Sequence, residues 1–264
     1  MQFFTIASSS SGNCSFVAAG KTKILIDTGI FASRIRGCLR EQKIRPQDID
    51  AILVTHEHSD HVKWLPQFCE PYRVPVYAVQ DIWPRLDRFV EELPLKHLRP
   101  LEGTMQIGDI RIRTFDVPHD APTRGFIISA EGKRLGYLTD CGHVTPHIYR
   151  NLLGRNNRLR LDALMVEANF DRKMLWRGPY RPMVKRRIAG DEGHLSNNQT
   201  ARLLDNLLQY QKPFPVMLLH LSETNNTPEL AYAKVAEVIR RHGGDPEQLL
   251  TVAPARGLSR VWNI

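Results

Sequence analysis

Three histidines and one aspartate lie within six residues of this sequence, as His56-x-His58-x-Asp60-His61. They follow residues 51–54, an apolar run typical of a buried strand. Catalytic zinc sites use imidazole nitrogens and carboxylate oxygens as ligands and keep one position open for water. A loop that leaves a strand end can arrange such ligands around a pair of metal ions. The motif therefore predicts a catalytic metal site rather than a histidine-rich polar loop.

Short apolar runs recur along the chain and predict the strands that must position these residues. Most are four to six residues long, β-branched or aromatic, and bounded by Gly, Pro or Asp. The runs are residues 3–7, 15–18, 23–26, 51–54, 74–79, 110–115, 125–128, 135–138, 163–166 and 216–219. With 42% hydrophobic residues among 264 and no internal repeat, the chain predicts one domain over residues 1–264.

Helical patterns lie between the predicted strands. Phe31, Ile35 and Leu39 share one helical face at a spacing of four residues. Residues 196–199 form a capping box that begins a helix. Thr227 is followed by a proline at the first position of another helix. Helices interleaved with strands predict a layered α/β architecture with helices outside the sheets.

The motif and its surroundings resemble the metallo-β-lactamase superfamily over essentially the whole length. The strand and turn at residues 24–29 come first, and the motif, His119, Asp140 and His220 follow in order. The resemblance implies the αβ/βα four-layer sandwich, with two mixed sheets and helices on the outer faces. It implies two metal ions, one held by His56, His58 and His119 and the other by Asp60, His61 and His220, with Asp140 as the bridge.

Asp27 also follows an apolar run, and it is expected to orient a ligand imidazole rather than to bind a metal ion. Glu57 is expected to point away from the metal ions.

Two divalent ions roughly 3.5–4 Å apart lower the pKa of a shared water to about 7, which makes a bridging hydroxide available as the nucleophile. Zinc is the favoured metal, and manganese and iron stay open.

Two further matches narrow the substrate. Residues 166–170 and 193–196 resemble characteristic motifs of the tRNA 3′-end-processing nucleases, known as tRNase Z. The resemblance implies that His194 is a candidate general acid, which protonates the leaving oxygen or stabilises the phosphate, and that Glu167 orients it. Asp60 is expected to be a catalytic residue as well as a metal ligand. The alternative is structural, because Glu167 ends a predicted strand and His194 precedes the helix capped by Ser196.

A narrower resemblance is to the bacterial YycJ/WalJ group, which is linked to 5′-to-3′ exonuclease activity on DNA and to DNA repair. It rests on residues 8–15, 193–197 and 220–226. Asn169 and Leu195 depart from the tRNase Z motifs, and the sequence has neither a long exosite arm nor the large β-CASP insertion of RNase J nucleases. Action on DNA ends is therefore favoured over tRNA maturation.

The charge of the chain is concentrated in one segment. Its net charge of +8 matches that of residues 150–190, which contain eleven basic and three acidic side chains. Charge of this kind favours an anionic partner such as DNA, and Trp176 and Tyr180 are candidates for stacking on bases. The predicted DNA contacts are Arg172, Lys173, Arg177, Arg181, Lys185, Arg186 and Arg187. The alternatives are a solvated face and, for residues 174–176, a patch that faces the core or a second copy.

Three functions stay open on the sequence. The first is a dinuclear-metal phosphodiesterase that acts on DNA as a 5′-to-3′ exonuclease. The second is a small-molecule or cyclic-nucleotide phosphodiesterase or thioesterase, and the third is a non-catalytic adaptor stabilised by metal.

Four scattered cysteines without a CxxC pair, no signal peptide and no long apolar run predict a cytoplasmic protein. The oligomeric state stays open.

Overall fold

Two β-sheets form the framework of the fold. The structure is a computed structural model that describes residues 1–86 and 95–264. In those residues each sheet has seven strands. The strands are β1 (Gln2–Ser9), β2 (Gly12–Ala19), β3 (Thr22–Ile26), β4 (Ala51–Leu53), β5 (Val76–Ala78), β6 (Leu98–Pro100), β7 (Thr104–Ile107), β8 (Ile110–Val117), β9 (Thr123–Ala130), β10 (Lys133–Leu138), β11 (Ala163–Glu167), β12 (Val216–Leu219), β13 (Leu250–Val252) and β14 (Trp262–Asn263).

Both sheets are mixed, as predicted. The first has the order β14-β1-β2-β3-β4-β5-β6, and its strands are antiparallel from β14 to β3 and parallel from β3 to β6. The second has the order β13-β12-β11-β10-β9-β8-β7, with β10 to β13 parallel and β7 antiparallel to β8. The parallel strands β4 and β12 are apolar and buried at every residue, as strands covered on both faces must be.

Each of the ten predicted apolar runs coincides with a strand, but β6, β7, β13 and β14 were not predicted. β7 has exposed residues and few buried ones, and β14 contains two residues at a sheet edge. Such short edge strands carry too little apolar pattern to be distinguished from loops. Their place depends on pairing with neighbours that are remote in sequence.

Helices connect the strands. In the described residues they are α1 (Ala32–Glu41), α2 (Ser59–Val62), α3 (Leu65–Tyr72), α4 (Trp83–Leu86), α5 (Pro146–Leu153), α6 (Arg172–Arg177), α7 (Pro182–Ile188), α8 (Asn197–Leu208), α9 (Pro228–Arg241) and α10 (Pro246–Leu249). The capping box at Ser196 and Gln199 and the cap at Thr227 are confirmed. Among residues 1–86 and 95–264, no helix combines the length and the apolar character needed to span a bilayer.

One helix prediction needs a correction. Ile35 and Leu39 are buried on the inward face of α1, but Phe31 is 57% exposed. The helix begins one residue later, at Ala32, so the Phe31 side chain leaves the helical face. Its ring packs against Trp64 instead, with the ring centroids 4.2 Å apart.

The chain divides into two compact units. The first unit comprises Met1–Thr114, Ile128–Gly132 and Pro254–Ile264, and the second comprises Phe115–Ile127 and Lys133–Ala253. In the first, Phe4 of β1 and Phe16 of β2 stack in the core with their ring centroids 4.6 Å apart. In the second, buried leucines of α5 and α8 pack with buried residues of β11, β12 and α9. The prediction of one domain over residues 1–264 stays a prediction.

Parallel strands bring the candidate residues of each unit to common edges. In the first unit, Ile26 pairs with Leu53, so Asp27 and the histidine motif follow the same edge. In the second unit, β10, β11 and β12 are parallel neighbours and end in register. Asp140, Glu167 and His220 therefore emerge at one edge, because carboxyl ends of adjacent parallel strands coincide.

Candidate metal centre

The histidine motif in the first unit is held by a buried carboxylate. Thr55 donates two hydrogen bonds to Asp27, from its backbone N to Oδ1 at 2.8 Å and from Oγ1 to Oδ2 at 2.9 Å. The same Oδ2 lies 2.8 Å from Nδ1 of His61. Asp27, Thr55 and His61 are fully buried. Asp27 thus fixes both the start of the motif and its last imidazole, in agreement with its predicted position.

The motif groups its imidazoles closely. The His56 ring centroid lies 4.6 Å from that of His58 and 4.3 Å from that of His61. With Nδ1 of His61 on Asp27, its Nε2 lies 3.3 Å from Oδ2 of Asp60. Glu57 is nearly buried, and its Oε1 accepts a hydrogen bond from Arg85 at 2.9 Å. The ion pair directs this carboxylate toward Arg85, and its orientation relative to the metal ions stays a prediction.

The electrostatics of Asp27 are dominated by burial. Burial raises the pKa of this carboxyl above its ordinary value, although the His61 imidazole and the Thr55 hydrogen bonds act to lower it. Asp27 also has a φ of 62°, in the left-handed region that non-glycine residues rarely adopt. Such backbone conformations persist where the surrounding structure holds them, and they cluster at functional sites.

Two residues of the first unit support the motif without having been assigned a role in it. The Asn13 side-chain Nδ2 lies 3.1 Å from Nε2 of His61 and 3.4 Å from Oδ2 of Asp60. A Cβ at Gly29 would collide with the Asp60 carbonyl oxygen, so only glycine permits this close approach. Both lie in segments that the sequence analysis singled out, but local sequence does not indicate a contact across dozens of residues.

Asp140 is the centre of the cluster in the second unit. Its Oδ1 lies 3.9 Å from Nε2 of His119, 3.6 Å from Nδ1 of His194 and 3.6 Å from Nε2 of His220. Its Oδ2 accepts a hydrogen bond from Thr139 Oγ1 at 2.8 Å. Asp140 and His220 both have positive φ, at 51° and 55°. The structure therefore brings the predicted residues of this unit around one carboxylate.

The loop before His194 positions His119. Nδ1 of His119 lies 3.1 Å from the Gly193 carbonyl oxygen, which turns Nε2 toward Asp140. A Cβ at Gly193 would collide with the carbonyl oxygens of Arg187 and Ile188, so the loop requires glycine there. This contact joins the segment after β8 to the loop that follows α7.

Glu167 lies in hydrogen-bond contact with His194. Its Oε1 lies 2.6 Å from Nδ1 of His194 and 3.3 Å from Nδ1 of His220. Its Oε2 accepts hydrogen bonds from the backbone N of Cys141 at 2.9 Å and of Leu195 at 3.1 Å. Burial alone would raise the pKa of Glu167, but the His194 charge and the hydrogen bonds outweigh it, and the pKa lies below its ordinary value.

Asn169, which departs from the tRNase Z pattern, has a structural role here. Its Nδ2 donates to the His220 carbonyl oxygen at 2.8 Å and lies 3.1 Å from His220 Nδ1. The amide thereby supports the left-handed backbone at His220. The sequence showed the substitution but carried no signal of this contact.

The chemistry of these side chains fits divalent metal ions. Nδ1 of His56 lies 3.0 Å from Thr55 Oγ1, and Nδ1 of His61 and of His119 likewise lies within hydrogen-bond distance of an oxygen of its own unit. An acceptor at Nδ1 selects the tautomer that offers Nε2 as a ligand. In the second unit, Asp140, Glu167, His194 and His220 offer ligand atoms within 4.8 Å of one another. Imidazole nitrogens and carboxylate oxygens are the donors used by zinc, manganese and iron.

The predicted DNA contacts of the basic segment lie on α6, on α7 and in the turn between them. Among them Arg172, Lys173, Arg177, Arg181, Arg186 and Arg187 are exposed, and Lys185 is half-buried. Lys185 Nζ donates to the Trp176 carbonyl oxygen at 2.9 Å, and Arg187 Nε donates to Asp120 Oδ2 at 2.7 Å. Asp120 directly follows His119, so α7 lies beside the second-unit cluster.

The apolar residues of this segment divide between core and surface. Leu175 is fully buried, whereas Trp176 is 47% and Met183 is 75% exposed. The interpretation of residues 174–176 as one core-facing patch is therefore wrong for Trp176, because a six-residue helix turns only part of its surface inward. Trp176 and Tyr180 both stay accessible at the surface.

The comparisons with known proteins identify the family. The profile of the Beta-lactamase superfamily domain matches residues 22–244. The chain belongs to this superfamily. It is similar to exodeoxyribonuclease YycJ of Bacillus anthracis, with 31% identity over 92% of this chain and 90% of that protein. It is also similar to exodeoxyribonuclease WalJ of Streptococcus pneumoniae, with 33% identity over 88% of this chain and 85% of that protein.

A solved structure confirms the predicted fold of this superfamily member. The metallo-beta-lactamase fold protein YhfI from Bacillus subtilis matches with a TM-score of 0.71 at 13% identity, and the match covers 99% of both chains. The predicted metallo-β-lactamase sandwich and the resemblance to the YycJ/WalJ group are thus confirmed. The superfamily assignment also makes the chain a metal-dependent hydrolase, as predicted.

Proposed function

We propose that this hydrolase is a nuclease that cleaves phosphodiester bonds of DNA, as a 5′-to-3′ exonuclease linked to DNA repair. The observation that carries the proposal is the Glu167–His194 pair, 2.6 Å apart and beside Asp140. A phosphodiesterase must protonate a poor leaving group, the sugar oxygen, and an imidazole held by a carboxylate supplies that proton. The names of the YycJ and WalJ relatives support DNA as the substrate.

We also propose that residues 1–264 form one hydrolase domain that binds two metal ions. One ion is assigned to His56, His58 and His119, the other to Asp60, His61 and His220, and Asp140 is assigned to both. Two such ions, when bound, lower the pKa of a water and stabilise charge on phosphate oxygens. Zinc is the favoured metal because the imidazoles outnumber the carboxylates, and manganese and iron are the alternatives.

The side chains of the second unit are assigned the proton transfer. With Nδ1 bound to Glu167, His194 presents Nε2 for donation to the departing oxygen. The pKa of Glu167 lies below its ordinary value, so the carboxylate stays anionic and orients the His194 ring by accepting at Oε1. The imidazole is 19% exposed, so a substrate can approach it.

The basic segment is assigned the contact with the DNA backbone. The exposed side chains of Arg172, Lys173, Arg177, Arg181 and Arg186 follow the strand that carries Glu167 and precede the loop that carries His194. Trp176 and Tyr180 offer aromatic faces between them.

The four cysteines lie in described residues and form no disulfide, which supports the proposed cytoplasmic location.

The test is a cleavage assay with single-stranded and duplex DNA labelled at the 5′ or the 3′ end, across a series of Zn²⁺, Mn²⁺ and Fe²⁺. We expect mononucleotides to be released from the 5′ end, and His58→Ala and Asp60→Ala to abolish the release. His147→Ala is the matched control, because this exposed imidazole contacts Asn151 on its own helix.

The same assay separates the alternatives. Intact DNA with every metal would overturn the proposal. Hydrolysis of bis-p-nitrophenyl phosphate or of a thioester without DNA cleavage would favour the small-molecule hydrolase. DNA binding without any hydrolysis would favour the adaptor.

A further inference from the structure

A concave surface in the first unit has no role in the proposed metal binding or proton transfer. It is a cavity of about 240 Å³ between the β1–β2 turn, the start of α1, and Lys63 and Trp64. The side chains that give it its chemistry are Phe31, Arg34, Lys63, Trp64 and Arg256. We name it the Phe31 pocket.

The pocket presents an aromatic surface to solvent. Phe31 is 57% exposed although the side chain is large and apolar, and its ring packs against that of Trp64 with the centroids 4.2 Å apart and the planes tilted by 37°. The two rings support each other and form a preorganised platform. Platforms of this kind bind nucleobases, because every base has a flat face that stacks on an aromatic side chain.

The pocket also carries positive charge. The side chains of Arg34, Lys63 and Arg256 are exposed, and none of the described residues that line the pocket is acidic. A second cavity of about 590 Å³ shares Phe31, Arg34 and Arg256 and continues along α1 as far as Glu41. The larger cavity has the size of small-molecule sites, about 300–1,000 Å³.

The pocket is joined to the histidine motif within the same unit. Gly29 lines it and packs directly against the Asp60 carbonyl oxygen. Trp64 follows His61 by three residues, and its backbone N donates to the Thr28 carbonyl oxygen at 3.1 Å. A ligand in the pocket is therefore positioned by the same turn that positions the motif.

We propose that the Phe31 pocket binds one nucleotide of single-stranded DNA, with the base on Phe31 and the phosphate at Arg34, Lys63 and Arg256. The inference rests on the proposed nuclease function and adds a substrate-positioning site to it. A base platform flanked by cations matches a nucleotide, whereas an acidic peptide would use the cations alone.

The experiment measures binding separately from cleavage. The probe is a 5′-phosphorylated hexathymidylate with phosphorothioate linkages, which resist hydrolysis, and a fluorescein at its 3′ end. Fluorescence anisotropy gives its Kd for the full-length protein and for Phe31→Leu, Arg34→Gln and Arg256→Gln. The matched controls are Arg40→Gln, which removes an exposed charge of α1, and Tyr210→Leu, which removes an exposed ring of the second unit.

We expect Phe31→Leu to raise the Kd about fivefold or more, because a stacked base contributes at least about 1 kcal/mol. Arg34→Gln and Arg256→Gln are each expected to weaken binding, and together to reduce the slope of log K against log salt by at most about 0.7, the value for one neutralised phosphate of a single strand. In DNA cleavage all three variants should raise KM and leave kcat and the hydrolysis of bis-p-nitrophenyl phosphate unchanged. The controls should match the wild type.

The outcomes separate this proposal from the nuclease. If the wild type cleaves DNA and the pocket variants bind and cleave as it does, the pocket proposal is wrong and the nuclease stands. If the wild type binds the probe through the pocket but cleaves no DNA with any metal, the pocket stands and the nuclease is wrong. A hexaglutamate peptide is the competing ligand. If it binds the wild type as tightly as the hexathymidylate does, and if Arg34→Gln loses this binding while Phe31→Leu keeps it, the pocket binds acidic peptides and the proposal is overturned.

Discussion

In each unit a buried carboxylate contacts Nδ1 of a histidine, but the pKa values of the two carboxyls are shifted in opposite directions. In the first, buried Asp27 holds Nδ1 of His61 at 2.8 Å, and in the second, buried Glu167 holds Nδ1 of His194 at 2.6 Å. The pKa of Asp27 is raised by burial, whereas the pKa of Glu167 is lowered despite burial. A similar contact therefore accompanies opposite pKa shifts, upward for Asp27 and downward for Glu167.

The difference follows from the partners of each carboxylate. Asp27 accepts from Thr55 and one imidazole, and these bonds do not offset its complete loss of water. Glu167 meets two imidazoles and two backbone N–H groups, and these favour the charged form. Orienting a neutral ligand imidazole needs only an acceptor, but stabilising a charged imidazole needs a lasting negative charge. We therefore expect Asp27 to serve metal binding and Glu167 to serve the reaction.

The largest effect should come from Glu167→Gln. One amide oxygen cannot accept both from His194 and from the two backbone N–H groups, and the negative charge is lost. We expect kcat for DNA cleavage to fall about 100- to 10,000-fold, while metal content by mass spectrometry stays at the wild-type level. Glu237→Gln, at an exposed carboxylate of α9, is the control.

That variant can break the comparison. Glu167 belongs to a group of side chains whose ligand atoms lie close enough to hold an ion. Loss of metal in Glu167→Gln, in proportion to the loss of activity, would make Glu167 a metal-binding residue rather than the orienter of His194.

Asp27→Asn should show the opposite pattern. The amide donates where His61 and Thr55 also donate, so His61 loses the acceptor that orients it. We expect metal affinity to fall about 10- to 100-fold and the free energy of unfolding to fall by about 1–3 kcal/mol. Activity should return when excess metal is added. Asp50→Asn, at an exposed aspartate that accepts from the Lys23 backbone, is the control. Activity that stays low at saturating metal would contradict the assignment.

The basic segment should affect binding more than chemistry. We expect the triple variant Arg172→Gln, Arg177→Gln, Arg186→Gln to weaken DNA binding and to reduce the salt slope by about 0.7–0.9 for each phosphate that is no longer neutralised. Hydrolysis of bis-p-nitrophenyl phosphate should survive. A triple variant of exposed residues on α8 and α9, at Arg202, Lys234 and Arg240, is the matched control. Equal loss of both activities would contradict a role in DNA binding.

The structure separates the basic residues in a way that the sequence did not. Lys185 and Arg187 have partners within the second unit, Trp176 and Asp120. We therefore expect Arg187→Gln to lower kcat as well as affinity, because Asp120 follows His119. The kcat and KM of Arg187→Gln, compared with those of the separate variant Arg186→Gln, show whether α7 only binds DNA or also supports the cluster around Asp140.

Local patterns in the sequence predicted the parts that depend on local forces. The apolar runs of β4 and β12, the capping box at Ser196 and the histidine motif each have a strong signal within a few residues. Their physical basis is burial and hydrogen bonding between near neighbours. The resemblance to a known family added the distal residues, which periodicity alone would not connect.

Contacts between remote segments could not be predicted. Asn13 meets His61 across 48 residues, and Asn169 meets His220 across 51. The left-handed backbone at Asp27, Asp140 and His220 has no local signal, because non-glycine residues adopt it only where the surrounding structure holds them. The spacing placed Phe31 on one helical face with Ile35 and Leu39, whereas its side chain packs on Trp64 and stays exposed.

The smallest effect concerns the thiols beside the two carboxylates. Burial, and then the charge of Asp27, raises the pKa of Cys14, while burial, and then the charge of Glu167, raises that of Cys141. Because burial is the larger cause at both, neutralising either carboxylate should leave its neighbouring thiol protonated and unreactive near pH 8. We expect iodoacetamide and peptide mass spectrometry to show both thiols unlabelled in the folded wild type, Asp27→Asn and Glu167→Gln, and labelled in urea. Labelling of Cys14 in folded Asp27→Asn, with Cys141 still protected, would mean that Asp27 stabilises the packing of the first unit, and its loss of metal would then be a consequence of unfolding.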